Sequence, residues 1–196
     1  SAQSGNTGGL TWAEAGGGSR KLLNRSVMNN TSSYVFTATD ATKYDSYHIE
    51  FNGIVTSAAD GRFRMYVSDD GGSSYISQIR GVYTERRGTS VGGGAVTGYL
   101  AMTYKLSNLI HYYGGNASGY VKLLNPHTGN TTSSQMMGMA VYRGSNASEQ
   151  AHITYGAGSS DEDYGGDIWD NINAFKLQMG SGNIMQGIIS VFGVLK

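Results

Sequence analysis

Ser181-Gly-Asn-Ile-Met-Gln-Gly-Ile-Ile-Ser-Val-Phe-Gly-Val-Leu-Lys196 is the stretch whose reading decides the fold. Ile184, Ile188, Phe192 and Val194 share one parity, and Met185, Ile189, Val191 and Leu195 share the other. An apolar run of this length, opened by Gly-Asn and rich in Ile and Val, predicts a strand buried on both faces. It is expected to close the fold on the chain's own end, as suits a compact all-β building block. Nothing in it names a reaction.

The strand pattern extends back through the chain. Residues 34–38, Tyr-Val-Phe-Thr-Ala, are β-branched and aromatic. Residues 45–56 alternate, with Tyr47, Ile49 and Phe51 against His48, Glu50 and Asn52. Residues 61–68 alternate again, with Phe63, Met65 and Val67 inward and Arg62, Arg64 and Tyr66 outward. Asp69-Asp70-Gly71-Gly72 supplies turn residues, and residues 74–84 are expected as the partner strand of a hairpin. Residues 86–94 read as a Gly-rich loop. Further strands are expected at 99–106, 120–124, 135–143, 151–155, 172–179 and 183–195. Nine or ten short strands without an amphipathic helix predict an antiparallel β-sandwich, jelly-roll-like in kind. Residues 1–33, Gly/Ser-rich around the apolar island Leu10-Thr11-Trp12, are expected as an extended N-terminal arm. Residues 34–196 are expected as the sandwich domain.

Composition narrows the function classes. The chain has 196 residues, with 14 Lys+Arg against 14 Asp+Glu, so its formal charge is zero. A nucleic-acid binder needs a basic excess to meet phosphates, so no nucleic-acid partner is expected. Charged residues make up 14%, against roughly 25% in ordinary soluble domains. Low charge favours association with other subunits. The absence of Cys excludes disulfides, thiolate metal sites and Cys nucleophiles together. No apolar stretch has the length of a membrane helix, so no membrane partner is expected.

Few residues suggest chemistry. Asp161, Asp163 and Asp167 stand before and among glycines, with Glu162 and Asp170 nearby. Hard oxygen donors on a loop make a weak Ca²⁺ candidate, although the EF-hand pattern is not met. The plainer reading is a solvated acidic loop. Asp161 and Asp170 flank Tyr164 and Trp169, but nothing else suggests glycoside hydrolysis. His48, His111, His127 and His152 lack metal-ligand spacing, and no G-x-S-x-G elbow occurs. No catalytic residue and no cofactor is therefore expected. The 14 Tyr suit interfaces, and Leu10, Trp12, Tyr112, Tyr113 and Trp169 are the candidate partner-binding residues.

The order of several segments resembles a known group. They are Thr39-Asp-Ala-Thr-Lys-Tyr-Asp-Ser-Tyr47, Met65-Tyr-Val-Ser-Asp-Asp-Gly-Gly-Ser-Ser-Tyr75, Gly119-Tyr-Val-Lys-Leu-Leu-Asn-Pro126, Ile172-Asn-Ala-Phe-Lys-Leu177 and Gly182-Asn-Ile-Met-Gln-Gly187. Together they resemble small β-sandwich virion proteins of tailed bacteriophages, found as head decoration (cement) proteins or as tail-fibre modules. The likeness spans about residues 34–196 and rests on turns and strands, so it transfers no catalytic residue. It implies a virion component assembled in the cytoplasm of a bacterial host. With the low charge and abundant Tyr, it leads to the expectation of a non-enzymatic capsid decoration protein. That protein would be a homotrimer contacting the major capsid protein or other virion proteins. The alternatives are a tail-fibre module recognising a host surface glycan, and a carbohydrate-binding module.

Overall fold

The computed structural model describes residues 19–38, 43–59, 61–77, 79–87, 90–103, 106, 116–124, 126, 135–143, 149–157 and 172–195. Twelve strands run through them: β1 (Arg20–Thr31), β2 (Ser33–Thr37), β3 (Tyr44–Thr56), β4 (Phe63–Ser68), β5 (Arg80–Arg87), β6 (Ser90–Thr97), β7 (Leu100–Ala101), β8 (Ala117–Leu124), β9 (Gln135–Arg143), β10 (Glu149–Ala157), β11 (Ala174–Met179) and β12 (Ile184–Leu195). They form two sheets, one of eight strands in the order β1-β12-β3-β8-β9-β10-β5-β6 and one of four in the order β2-β11-β4-β7. Every pairing is antiparallel. The antiparallel sandwich expected from the strand spacing is what forms. Its eight-and-four division is more uneven than the two equal halves of a simple eight-stranded jelly roll.

The core lies between the sheets. Phe51 of β3 meets Phe63 of β4 edge-on, with ring centroids 5.2 Å apart. Phe36 of β2 stacks on Phe175 of β11 at 5.2 Å and meets Tyr47 of β3 edge-on at 5.9 Å. Ile49, Val121, Ile189 and Val191 close the large sheet's inner face, and Met65, Val67 and Leu177 that of the small sheet. Offset and edge-on ring pairs add to the burial of their area.

The closing strand departs from the strict parity of its sequence. Ile184 points inward, but so do Ile189, Val191 and Gly193. The register against β3 shifts on either side of Gln186, and Gly187 sits at φ +141°. A side chain there is strained, and its Cβ would stand 2.6 Å from Ile54 Cδ1. Each strand carries one extra residue, β12 before Gln186 and β3 after it, and the inward parity changes across the break. Ile188, Phe192 and Val194 are therefore only half-buried on the outer face. The expectation of burial on both faces is corrected to burial on one.

Three other expectations change. Residues 69–72 do turn, with Gly71 and Gly72 at φ +75° and +93°. The chain then leaves the small sheet, and β5 pairs with β10 and β6, while β4 pairs with β11 and β7. No hairpin joins residues 61–68 to 74–84. The turn is instead a self-bonded loop. Asp70 accepts from Ser68 Oγ at 2.7 Å and from Ser74 N at 2.9 Å, and Asn173 donates to Asp69 O at 2.7 Å. The backbone N–H of Ser74, then the Ser68 and Ser74 hydroxyls, bond the charged form and hold the Asp70 carboxyl well below the usual carboxylate range.

The Gly-rich stretch expected as a loop over 86–94 belongs largely to β5 and β6. A Cβ at Gly94 would stand 2.9 Å from Tyr83 Oη, and one at Gly93 would stand 2.8 Å from Tyr83 O. The glycines admit close approach of β5 within a strand, which is a use of Gly that its loop propensity hides. The segment expected as an arm over 1–33 contributes residues 20–31 as β1, paired with β12 in the same sheet. The domain thus begins no later than Arg20, and residues 1–18 lie outside the described ones.

Phe51→Ala should cost about 3–5 kcal/mol of unfolding free energy, because it opens a cavity opposite Phe63. Val35→Ala, on the outside of β2, should stay within about 0.5 kcal/mol. Urea unfolding of both variants checks this, and equal costs would contradict the assignment of the core.

Candidate functional site

The alternation that builds the core also decides what faces out. On the large sheet, β9 alternates without a break: Met136, Gly138, Ala140 and Tyr142 are buried, and Gln135, Met137, Met139 and Val141 are exposed. Met139 pairs with Tyr120 of β8, and Val141 with Ser118. The same face carries exposed Val82 of β5 and Val91 of β6, the latter 72% exposed. At the other end Leu22 pairs with Phe192, and Val27, 68% exposed, pairs with Ile188. Eight large apolar residues are therefore exposed on this one face: Leu22, Val27, Val82, Val91, Tyr120, Met137, Met139 and Val141. Apolar stripes of this extent mark interaction surfaces.

A polar seam on β3 divides the stripes. His48, Glu50 and Asn52 face outward there. Arg20 reaches across β12, its guanidinium 3.7 Å above the Phe192 ring, and pairs with Glu50. Asn52 accepts from Ser118 Oγ at 3.2 Å, and the same oxygen accepts from Gly53 N at 3.1 Å. His48 pairs with Lys122 of β8 and Phe192 of β12 in the ladder. Partial burial, then the nearby charges of Lys122 and Arg20, lower its pKa, against a smaller opposing effect of Glu50.

A concavity opens between the edge strands β1 and β2, beside β3. It encloses about 320 Å³ and is lined by Leu23, Asn24, Val35, Phe36, Thr37, Ala38, Tyr44 and Tyr47. Tyr34 donates to Asn24 Oδ1 at 3.0 Å beside it, and burial pushes the Tyr34 phenol up to about 12. Its lining mixes aromatic and aliphatic side chains with the polar atoms of Asn24, Thr37 and the backbone, and it carries no charged side chain.

The residues singled out by sequence, Leu10, Trp12, Tyr112, Tyr113, Trp169, Asp161, Asp163 and Asp167, all lie outside the described residues. Among the described residues, no three of His, Cys, Asp and Glu gather where a metal ion could bind. No helix among them is long and apolar enough to cross a membrane. The apolar sheet face escaped sequence reasoning. Both parities of Met136-Met-Gly-Met-Ala-Val141 are apolar or small, so the segment shows no polar side to mark the outward face. Comparison with protein-family models, curated proteins and solved structures finds no match to this chain.

His48 yields a pH signature. Below its ordinary value near 6.5 the unfolded chain takes up a proton that the folded protein resists. The stabilisation is complete above that value and is lost as pH falls through the window down to the lowered value. His48→Gln should flatten the fall in urea midpoint between about pH 7 and about pH 5 relative to the unaltered protein. Parallel curves would contradict this environment for His48.

Proposed function

We propose that this chain is a non-enzymatic structural protein of a tailed-bacteriophage virion that works by packing against further copies of itself and against neighbouring virion subunits. Capsid decoration, as a homotrimer on the major capsid protein, is the leading form of this reading. The observation that carries it is the outer face of the large sheet, where exposed apolar side chains of β1, β5, β6, β8 and β9 flank the Arg20–Glu50 seam. Burying such a face stabilises an assembly through the hydrophobic effect, and the ionic seam would fix the register of the partner. Zero net charge and only 14% charged residues lower the electrostatic cost of bringing copies together. A protein of this kind reinforces a shell by spanning its subunits, and needs no reacting group.

Light scattering after size exclusion tests this reading. The full chain should run as a multiple of its 20.8 kDa mass, and three is the multiple expected. Met139→Glu and Val141→Glu change side chains that are 43% and 56% exposed in the single chain, so both should fold. Each places an unpaired charge in the buried contact and should shift the mass toward one chain. A protein whose mass neither variant alters would contradict the role of this face.

A further inference from the structure

The opposite face of the sandwich has a different character. On the outer side of β4 and β11, three tyrosines and three cations interleave. The Tyr66 ring lies 6.2 Å from Tyr75, edge-on, and 5.8 Å from Tyr99. Lys176 Nζ stands 4.0 Å from the Tyr75 ring centre and 4.9 Å from that of Tyr66. The Arg64 guanidinium lies 4.3 Å over Tyr99, and Arg62 Nη1 donates to Tyr99 Oη at 3.1 Å. All six residues are half-buried, so the rings hold the cations in place on a surface that solvent still reaches.

Arg64 and Lys176 have no carboxylate partner among the described residues. The Arg20–Glu50 pair lies on the other face. Arg64 has only a long bond to Tyr66 Oη, at 3.4 Å, and its Nε is shielded from solvent with no hydrogen-bond partner. Asp70, the nearby carboxylate whose charge raises the Tyr75 pKa after burial does, is already engaged by Ser68 and Ser74. Gly180 makes room for Arg64, since a Cβ there would stand 2.6 Å from Nη2. Register places Lys176 opposite Tyr66 and Gln178 opposite Arg64, so the two cations are diagonal neighbours on the sheet, roughly 7–8 Å apart at their stems.

We infer that this platform binds an acidic polysaccharide, with carboxylates of the sugar chain meeting Arg64 and Lys176 and the sugar faces lying against the tyrosines. Guanidinium and ammonium groups without anions, preorganised on rings, are made for carboxylates. Aromatic rings present broad apolar area at low entropy cost to a flat partner. An extended peptide would seek a free sheet edge or a groove, whereas this patch lies across a sheet face. Nucleic acid, which binds by neutralising a run of phosphates, is a poorer fit to a patch whose unpaired cations are Arg64 and Lys176. The inference goes beyond the assembly reading, since it concerns the face turned away from the apolar stripes.

The test is affinity electrophoresis of the full chain in native gels containing polygalacturonate, with dextran as the neutral control and a poly-dT oligonucleotide as competitor. The protein should be retarded by polygalacturonate, not by dextran, and poly-dT should not displace it. Arg64→Gln with Lys176→Gln keeps the side-chain stems. It should weaken retardation at least about tenfold, the scale of one charged hydrogen bond. Tyr66→Ala keeps every charge and should also weaken it. Gly180→Ala, which displaces the Arg64 guanidinium without changing any charge, should do the same. Thermal unfolding checks that each variant folds, and weakening of the unaltered protein's retardation by added salt gives a readout free of mutation. No retardation, equal retardation by dextran, displacement by poly-dT, or unchanged retardation of the double variant would overturn the inference. Met139→Glu should leave polysaccharide binding intact, so failure of the assembly reading and failure of this one are separable.

Discussion

Phe51 against Phe63 is the contact on which the rest depends. Side chains on a strand alternate with a period of two. Once Tyr47, Ile49 and Phe51 enter the core, His48, Glu50 and Asn52 must leave it. The ladder then carries that choice sideways. Glu50 pairs with Tyr120, Tyr120 with Met139, and Lys122 with Met137. A one-residue slip anywhere in the sheet would exchange the two faces. The apolar surface of β8 and β9 is thus a consequence of core packing two strands away.

The two outer faces of the sandwich answer to different chemistry. The outer side of the large sheet keeps a leucine, valines, methionines and a tyrosine in solvent. Such a face is uneconomical in a lone soluble domain and sensible in a subunit. The small sheet turns out Arg62, Arg64, Tyr66 and Lys176, whose cations rest on rings instead of carboxylates. Zero net charge hides this separation, because the sum over the chain says nothing of which face each charge occupies.

Much of the fold is legible in the sequence where alternation is clean. β3, β4 and β9 follow from Tyr47-His-Ile-Glu-Phe51, Phe63-Arg-Met-Tyr-Val67 and the apolar run after Gln135. Arg62, Arg64 and Tyr66 could be placed outward on the same ground. Connectivity was not legible. Asp69-Asp-Gly-Gly72 is a good hairpin turn by its residue types, yet Asn173, distant in sequence, bonds the loop and the chain changes sheets. Gly92, Gly93 and Gly94 read as a loop because the Glu85 side chain and the backbone and ring of Tyr83 that they accommodate belong to another strand. β1 was hidden in a segment read as an arm, since Arg20–Thr31 shows little alternation and gains its place by pairing with β12. The surface patches were the least legible, because they exist only once register sets residues of separate strands side by side.

Oxidation of the eight methionines by dilute peroxide, read residue by residue by mass spectrometry, tests the assembly face most directly. In the single chain Met137 and Met139 are exposed, while Met65 and Met102 are fully buried, so the latter pair sets the scale of protection. In concentrated protein Met137 and Met139 should oxidise as slowly as Met65 and Met102, and should become reactive on dilution to the single chain. Rapid oxidation of Met137 and Met139 at every concentration would contradict burial of this face against a second copy.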